Sequence, residues 1–395
     1  MRKRHVPTAE EVKVGFACAW TRVPEKSWSG TPWRLRNALW RQTELVDLGV
    51  EYPAVRALLK FAYAHKRRGR WGSVYQWSPL WDWAIQRKLR ASLSGQSVDA
   101  IIEIGDLSEL TTPFYVYQDL SFEVLERYYD EVSGVPGFKG IDLDTIRRRK
   151  ERQHGIYESA TGIFAMSQWF ADALTRWSGV PREKITVVHA GIGSPEVEEI
   201  PDPEALPERP PRRPPKLLFV GRDFFRKGGE SVVQALAELR REYSPGVTLT
   251  VAGPERWPMT GKVPEGVEFV GERSPAEVTC LYREHDLFVL PSRFEAFGIV
   301  FREALANGLP AIGRAEFAMP EIIEPGKNGA LVNGDDPAEL AAAIVAVLED
   351  PAVRQYTART AKDVRERFSW DAVAGRMLNS IEPSTQSPIG NESVW

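Results

Sequence analysis

The chain has 395 residues, which is enough for two domains with separate hydrophobic cores. Its 51 basic and 54 acidic residues give a formal charge of −3, so there is no overall bias toward nucleic acid or anionic membranes. Only two cysteines are present, far apart, and no run of 18 apolar residues occurs, which argues against a disulfide framework, a zinc site and a membrane-spanning helix. We therefore expect a cytoplasmic protein without a signal peptide.

In the first half of the chain, short apolar runs alternate with helical patterns. Strands are predicted for residues 12–20, 98–105, 114–119, 162–167 and 184–192. Helices are predicted to begin near Trp33 and to cover 143–160 and 168–179, the last ending on Gly179 as a C-cap.

A proline-rich stretch, "PDPEALPERPPRRPP" (201–215), separates this half from the next. So many prolines are incompatible with a helix or a central strand, so the stretch predicts an extended linker between domains.

The alternation resumes after the linker. Strands are predicted for 216–221, 247–253, 267–271, 286–292 and 309–313, and helices for 230–242, 275–284, 297–307, 336–348 and 351–368. Strand–helix alternation on both sides of a linker predicts two α/β domains with parallel sheets. Such sheets bind ligands beyond the carboxyl ends of their strands, so the cleft between the domains is the expected site.

Two glutamates flank an apolar run in "SRFEAFGIVFREALANGLPAIG" (292–313). Glu295 falls in the loop after a predicted buried strand, and Glu303 falls within the following helix. Taken alone, the pair is as compatible with a structural role, in which Glu295 caps the helix and Glu303 is a solvated polar position, as with ligand binding.

A second loop changes that balance. "LLFVGRDFFRKGGE" places Gly221, Arg222, Lys227 and Gly228 directly after the first strand of the second domain. Glycines let a ligand approach the backbone, and the two cations suit phosphate. Because loops after parallel strands open on one sheet edge, we expect Arg222 and Lys227 to face Glu295.

These motifs, with "LPSRFEAFGIVFREALANGLPAIG" and "MPEIIEPGKNGALV", resemble the glycosyltransferase group 1 family, also called family 4. The resemblance covers most of 216–368 and is weaker in the first half, where it uses "KVGFACAW…WSGTP" and "SQWF…VVHAGI". It implies a GT-B fold, in which two Rossmann-like domains face each other across a cleft. The implied organisation is an acceptor-side domain (1–200), a linker (201–215), a nucleotide-sugar-binding domain (216–368), a segment that packs back on the first domain (369–383) and a disordered tail (384–395).

The resemblance also implies roles for individual residues. Arg222 and Lys227, next to Gly221, grip the donor diphosphate. Glu295 binds sugar hydroxyls with help from the backbone of Ala296, Phe297 and Gly298, and Glu303 binds the ribose. Gly30 lets a first-domain loop approach the phosphates or the acceptor, and 269–273 lies along the base.

The implied reaction is retaining transfer of a sugar from a nucleotide-sugar donor without a metal or other cofactor. Arg222, Lys227 and Glu295 are its catalytic residues, and the two cations stabilise the charge that develops on the leaving diphosphate. A UDP- or GDP-sugar is the expected donor. The acceptor is a glycan, a lipid-linked molecule or a small molecule; we expect no nucleic acid partner and at most peripheral membrane contact.

One position departs from the family pattern. Many members carry a histidine after the strand that corresponds to "FYVYQDL", whereas this chain has Gln118 followed by Asp119. Gln118 is able to donate a hydrogen bond to a sugar hydroxyl but does not titrate. Asp119 either orients the acceptor or caps the next helix.

Three further features have structural interpretations. His189 is predicted to be a buried or hydrogen-bonded structural histidine. The tryptophan-rich stretch 70–83 is expected to pack in a core or between domains rather than to bind sugar. The basic run 147–153 is expected to be a solvated helix face, with a shallow lipid contact as the alternative.

Two other functions remain to be compared with transfer. A nucleotide-sugar-binding protein with weak or lost transfer activity is favoured only by Gln118. A nicotinamide-dependent dehydrogenase requires a GxGxxG turn, which neither "GFACAW" nor "GRDFFRKGG" supplies.

Overall fold

The computed structural model describes residues 12–52, 56–67, 70–132, 141–193 and 214–381. The predicted tail and all but the last two residues of the predicted linker lie outside these ranges.

The first domain is built on a six-stranded sheet in which every neighbouring pair is parallel. The strands of this domain are β1 (Val14–Ala17), β2 (Ala19–Trp20), β3 (Leu45–Asp47), β4 (Val50–Glu51), β5 (Ala64–Arg67), β6 (Arg70–Ser73), β7 (Ala100–Ile104), β8 (Phe114–Gln118), β9 (Gly162–Ala165) and β10 (Ile185–Val187). The order in the sheet is β10-β9-β8-β7-β1-β3, and β2-β4 and β5-β6 form two small separate ladders. Strands β1 and β2 both lie within the predicted strand 12–20, whereas β3, β4 and the β5-β6 pair were not predicted.

Helices cover this sheet. They are α1 (Thr31–Gln42), α2 (Arg56–Ala62), α3 (Pro79–Leu93), α4 (Phe122–Arg127), α5 (Tyr129–Val132), α6 (Leu143–Ser159) and α7 (Gln168–Ser178), with a 3-10 helix over Pro24–Gly30 before α1. The start of α7 is set by Ser167, whose hydroxyl accepts from the amide of Phe170, and its end by Gly179 in the left-handed region.

The second domain repeats the plan. Its strands are β11 (Lys216–Val220), β12 (Thr248–Ala252), β13 (Val267–Gly271), β14 (Leu287–Val289), β15 (Ala311–Arg314) and β16 (Gly329–Val332), all paired in parallel in the order β13-β12-β11-β14-β15-β16. Its helices are α8 (Gly229–Glu242), α9 (Pro275–Glu284), α10 (Ile299–Ala306), α11 (Pro337–Glu349) and α12 (Pro351–Arg367). The strands β11, β14 and β15 are almost wholly buried, as expected for a sheet covered on both faces. Strand β16 was not predicted.

The last helix, α13 (Trp370–Leu378), packs on α1 of the first domain. Arg41 of α1 donates to Asp371 at 2.5 Å, and the indole of Trp370 lies against Gly191, where an added Cβ would be only 2.3 Å from the ring. Just before α13, the amide of Ile192 donates to the carbonyl of Phe368 at 2.8 Å. The chain therefore returns from the second domain to the first beside Ile192, close to the last described residue of the first domain.

The basic run on α6 corrects one prediction. Arg147, Arg148 and Glu151 are exposed, as predicted, but Arg149 is only 4% exposed. Its guanidinium donates to Asp82 at 2.5 Å and to Asp106 at 2.7 Å, while Lys150 pairs with Glu126. Opposite charges from α3, α4 and the loop after β7 thus neutralise the run, because a buried guanidinium requires paired acceptors.

Among the described residues, no helix combines the length and the apolar character needed to cross a membrane.

Candidate active site in the interdomain cleft

The loop after β11 is shaped around the side chain of Lys227. A Cβ at Gly221 would lie 2.4 Å from the Cδ atom of Lys227, so only glycine lets the lysine stem cross this point. Gly228 has a φ of +74°, and a Cβ there would lie 2.5 Å from the carbonyl oxygen of Pro291. The loop after β11 therefore contacts the loop after β14.

Hydrogen bonds hold the two loops together. The guanidinium of Arg226 donates to the carbonyl of Phe294, and the amide of Arg293 donates to the carbonyl of Arg226 at 2.8 Å. The second loop ends at Gly298, which precedes α10 with a φ of +71°. These contacts place Glu295 over the Lys227 side chain.

Lys227 and Glu295 form an ion pair. The Nζ atom of Lys227 lies 2.9 Å from Oε2 of Glu295, and the two side chains are only 14% and 16% exposed. Burial by itself raises the pKa of Glu295, but the charges of Lys227 and Arg226 and hydrogen bonds from Lys227 and Ser292 lower it below its usual value. The structure thus brings together a cation and a fully ionised carboxylate that were predicted to share a site.

Glu303 lies nearby on α10. The hydroxyl of Tyr282 donates to its Oε2 atom at 3.3 Å. Burial raises the pKa of Glu303 to about 7, against the opposing effects of Arg34, Tyr282 and Lys227. The influence of Arg34, a residue of α1, means that the first domain presents a cation toward this carboxylate.

The first-domain wall of the cleft begins at Gly30. It ends the 3-10 helix with a φ of +83°, a conformation that favours glycine, and an added Cβ would lie 3.5 Å from the guanidinium carbon of Arg34. Gly30 and Arg34 therefore stand together at the start of α1.

Asp119 and Gln118 have different positions. Burial, reinforced by the charge of Glu295, raises the pKa of Asp119 to about 6, so this side chain lies within electrostatic reach of the second domain. Gln118 is 5% exposed and its Oε1 atom accepts from the hydroxyl of Tyr157 at 2.5 Å. Of the two candidates for sugar contact, Asp119 is the one near Glu295.

Arg222 does not join the Lys227–Glu295 pair. Its side chain is 78% exposed and pairs with Glu272, within the segment 269–273 that was expected along the base. The structure therefore brings Arg222 to the edge of the site and leaves Lys227 at its centre. Among the described residues, no group of three or more metal-ligating side chains occurs.

The two domains also contact each other directly. The carboxylate of Glu321, in the second domain, accepts from the amides of Gln168 and Trp169 at 2.8 and 2.6 Å. These amides form the amino terminus of α7, where backbone donors and the helix dipole favour an anion. The contact fastens one domain to a helix end of the other.

An aromatic cluster lies at the same interface. Tyr128 of the first domain lies 5.8 Å from Phe294 and 5.1 Å from Phe317 between ring centroids, and Trp169 lies 5.4 Å from Phe317. The apolar character of the loop after β14 follows from this packing.

His189 lies where the domains meet, with a φ of +63° and its Nδ1 atom 3.2 Å from the carbonyl of Met166. Burial and the charge of Arg302 lower its pKa to about 3, so the ring is neutral. The guanidinium of Arg302 lies 4.6 Å from the Phe297 ring and 4.0 Å from the Phe368 ring. The prediction of a structural histidine is confirmed.

Sequence reasoning missed three residues of this region. Arg226 adjoins Lys227 in "FFRKGG", so its charge was visible in the sequence although its contact with Phe294 was not. Arg34 and Glu321 carry no motif, because their positions follow from how the two domains pack.

Two Rossmann-like domains with facing sheets and a helix that returns to the first domain define the GT-B class of glycosyltransferase folds, as expected from the sequence. A model of the family described as "Glycosyl transferases group 1" matches residues 204–364. These residues belong to that family, which confirms the resemblance carried by the motifs.

Individual relatives agree with this assignment. The chain is 36% identical over 230 residues to a glycogen synthase of Mycobacterium tuberculosis, covering 55% of this chain and 53% of the relative. It is 31% identical over 182 residues to a D-inositol 3-phosphate glycosyltransferase of Corynebacterium efficiens, covering 43% of each chain. The matched segments thus span about half the length of these curated relatives, or less.

Similarity of structure extends over both domains. A sucrose-phosphate synthase from Thermosynechococcus elongatus superposes with a TM-score of 0.64 at 20% identity, covering 93% of this chain and 97% of that one. HepE of Anabaena, solved in complex with UDP-glucose, has a TM-score of 0.60 at 17% identity, covering 94% and 100%. At these identities the likeness establishes the fold.

Proposed function

We propose that the protein is a retaining glycosyltransferase that moves a sugar from a nucleotide-sugar donor to an acceptor without a metal. The observation that carries this proposal is the largely buried ion pair of Lys227 and Glu295, 2.9 Å apart, between the loops after β11 and β14. The ammonium group of Lys227 suits the diphosphate of a donor, and the carboxylate of Glu295 suits the hydroxyls of the sugar next to it.

In this proposal, binding of the donor breaks the ion pair between Lys227 and Glu295. Lys227 turns from Glu295 to the diphosphate, and the freed carboxylate accepts hydrogen bonds from sugar hydroxyls. The open backbone of Ala296, Phe297 and Gly298 at the start of α10 supplies further donors. Glu303 accepts from the ribose hydroxyls, and Gly30 leaves room for the first-domain loop beside the phosphates.

The reaction breaks the bond between the anomeric carbon and the phosphate oxygen through an oxocarbenium-like transition state. The acceptor oxygen attacks from the face that the diphosphate leaves, and the diphosphate takes its proton. Negative charge grows on the leaving oxygen, so a fixed ammonium group at Lys227 contributes most in the transition state. Arg222 assists once it exchanges Glu272 for phosphate. Asp119 orients the acceptor hydroxyl.

Two charges from Arg222 and Lys227 balance the diphosphate, so we propose that neither a metal nor another cofactor takes part. Transfer measured in EDTA is expected to equal transfer in buffer alone. Activity that disappears in EDTA and returns with manganese contradicts this part of the proposal.

A UDP-sugar is the first donor to test, because HepE was solved with UDP-glucose, and GDP-sugars come next. The acceptor is a glycan, a lipid-linked molecule or a small molecule. We further propose a cytoplasmic location with at most peripheral membrane contact.

One observation favours a second candidate function, a nucleotide-sugar-binding protein with weak or lost transfer. Gln118 stands where many family members carry a histidine, and its amide oxygen is already bonded to Tyr157. No titratable side chain is then available at that position.

The deciding experiment has two stages. Thermal unfolding is measured with UDP-glucose, GDP-mannose and the free nucleotides; a ligand at a hundredfold excess over its Kd stabilises by about 2.7 kcal/mol. The stabilising donor is then incubated with candidate acceptors, and the anomeric configuration of the product is read by NMR. Retention supports the proposal, inversion contradicts the mechanism, and binding without transfer or donor hydrolysis favours the second candidate.

A further inference from the structure

A cavity of about 850 Å³ lies wholly in the first domain, at the carboxyl ends of β2 and β4. Its walls come from the loop after β2, the turn between β3 and β4, and α2, and none of the candidate donor-site residues lines it. The size suits a small ligand, and the carboxyl ends of parallel strands are where such domains bind ligands. The cavity is therefore separate from the donor pair but opens at the same kind of sheet edge.

Aromatic side chains line one part of the cavity. Trp20 and Trp33 meet edge to face with ring centroids 6.0 Å apart, and Tyr52 lines the cavity beside them. The position of Trp20 depends on Gly49, where an added Cβ would lie 1.8 Å from the indole nitrogen. The indole of Trp20 therefore packs directly against the backbone of Gly49, where any larger residue would displace it. Aromatic faces of this kind pack against the apolar faces of sugar rings.

Cations line another part. The guanidinium of Arg56 donates to the hydroxyl of Tyr75 at 3.0 Å and lies 5.2 Å from the ring centroid of Tyr52, so neither of these partners is a carboxylate. Lys60 follows one turn later on α2, and Arg22 stands in the loop after β2. Both are exposed, and within the described ranges neither forms an ion pair.

The acidic residues do not balance these cations. Asp47 already pairs with Arg36 at 2.5 Å and accepts from the amide of Gly49 at 2.9 Å. Glu51 is the other carboxylate in the lining. In the described part of the chain, Glu51 has no cation within ion-pair distance. The lining therefore has three cations and one carboxylate that is not already paired, so the cavity carries a net positive charge.

We propose that this cavity binds a carbohydrate that carries a phosphate or carboxylate group. The sugar ring packs on the half-buried rings of Trp33 and Tyr52. Trp20 is 6% exposed and supports Trp33 from the core. The anionic group contacts Arg22, Arg56 and Lys60.

The experiment measures binding directly, by isothermal titration of the full chain with glucose 6-phosphate, glucuronate, glucose and inorganic phosphate. Glucose 6-phosphate is expected to bind at least tenfold more tightly than glucose and than inorganic phosphate, because it uses both parts of the cavity. If glucuronate binds more tightly than glucose 6-phosphate, the anionic group of the ligand is a carboxylate. If glucose 6-phosphate binds more tightly, the group is a phosphate.

Variants locate the binding. The double substitution Arg22→Gln and Lys60→Gln removes two exposed cations and is expected to weaken glucose 6-phosphate binding about tenfold. Lys262→Gln, an exposed lysine of the second domain, is the matched control and is expected to change nothing. Gly49→Ala displaces Trp20 and is expected to weaken binding of the sugar while inorganic phosphate binding stays the same.

Three results overturn the inference: glucose binding as tightly as glucose 6-phosphate, inorganic phosphate binding as tightly as the phosphate sugar, or the double variant binding like wild type. UDP-glucose binding, measured on the same variants, keeps the two proposals apart. If UDP-glucose fails to bind while glucose 6-phosphate binds at this cavity, the donor proposal fails and the ligand class stands.

Discussion

The two domains have the same architecture but differ in what their sequences reveal. Each has a six-stranded parallel sheet covered by helices, and structural similarity to known glycosyltransferases spans both. The family model, in contrast, matches only 204–364. When a domain binds a ligand that a whole family shares, its sequence is restricted at every residue that contacts the ligand. When a domain binds partners that vary within a family, its sequence is restricted mainly in the hydrophobic core. In the proposed function, the second domain holds the donor and the first holds the partner specific to this protein.

The strongest test of this division is Lys227→Ala. If the second domain supplies the chemistry, kcat is expected to fall by roughly a hundredfold or more, because the ammonium acts on charge that develops in the transition state. Lys262→Ala in the same domain is the control. Steady-state kinetics in which only KM changes would assign Lys227 to ground-state binding instead.

Glu303→Ala tests a contact of the same domain that is expected to bind the donor without changing during the reaction. A contact to the ribose changes little during reaction, so the donor KM is expected to rise about tenfold while kcat stays nearly constant. Initial rates over a range of donor concentrations separate the two parameters. A loss confined to kcat would show that the roles given to Glu303 and Lys227 are the wrong way round.

Glu321→Gln tests how the domains are joined. The carboxylate caps α7 across the interface, so its loss is expected to cost about 1 kcal/mol of interdomain contact, roughly a fivefold shift toward separated domains. Asp142→Asn is the matched control, because Asp142 caps α6 within one domain by accepting from Thr145. Small-angle X-ray scattering without donor should report a larger radius of gyration for Glu321→Gln only; equal profiles for both variants contradict the interface role.

The smallest expected effect is a pH dependence of donor binding. Burial raises the pKa of Glu303 to about 7, so its ionised fraction increases as the pH rises from 6 to 8. The ionised carboxylate is the better acceptor for ribose hydroxyls, so the donor KM should fall about threefold over this range. The donor should in turn lower the pKa of Glu303. In Glu303→Gln the KM should not vary with pH; a KM that instead rises with pH in wild type reverses the assignment.

Prediction from sequence succeeded where a local pattern fixes a local structure. The pairing of Lys227 with Glu295 followed from two loops after parallel strands, since such loops open on one edge. The burial of Arg149 was not predictable in the same way. Its partners Asp82 and Asp106 come from separate elements, so a run that appears solvated in sequence is neutralised only in the fold.

Arg34 and Arg222 illustrate the same limit within the site. The chain position of Arg222 predicted a central phosphate contact, but a long side chain 78% exposed has rotamers toward Glu272 as well. Arg34 belongs to α1 of the first domain, and its effect on the pKa of Glu303 depends on how the two domains pack. Neither fact is written in the spacing of residues along the chain.

The return of the chain at Phe368 has a mechanical consequence. The described residues of the first domain end at Gly193, and at Phe368 the chain returns beside them, with the amide of Ile192 bonded to the carbonyl of Phe368. This contact acts as a pivot between the domains. When the second domain turns about it, each atom moves in proportion to its distance from Ile192 and Ser369, so a small change in angle at the pivot becomes a large change in gap at the far rim of the cleft.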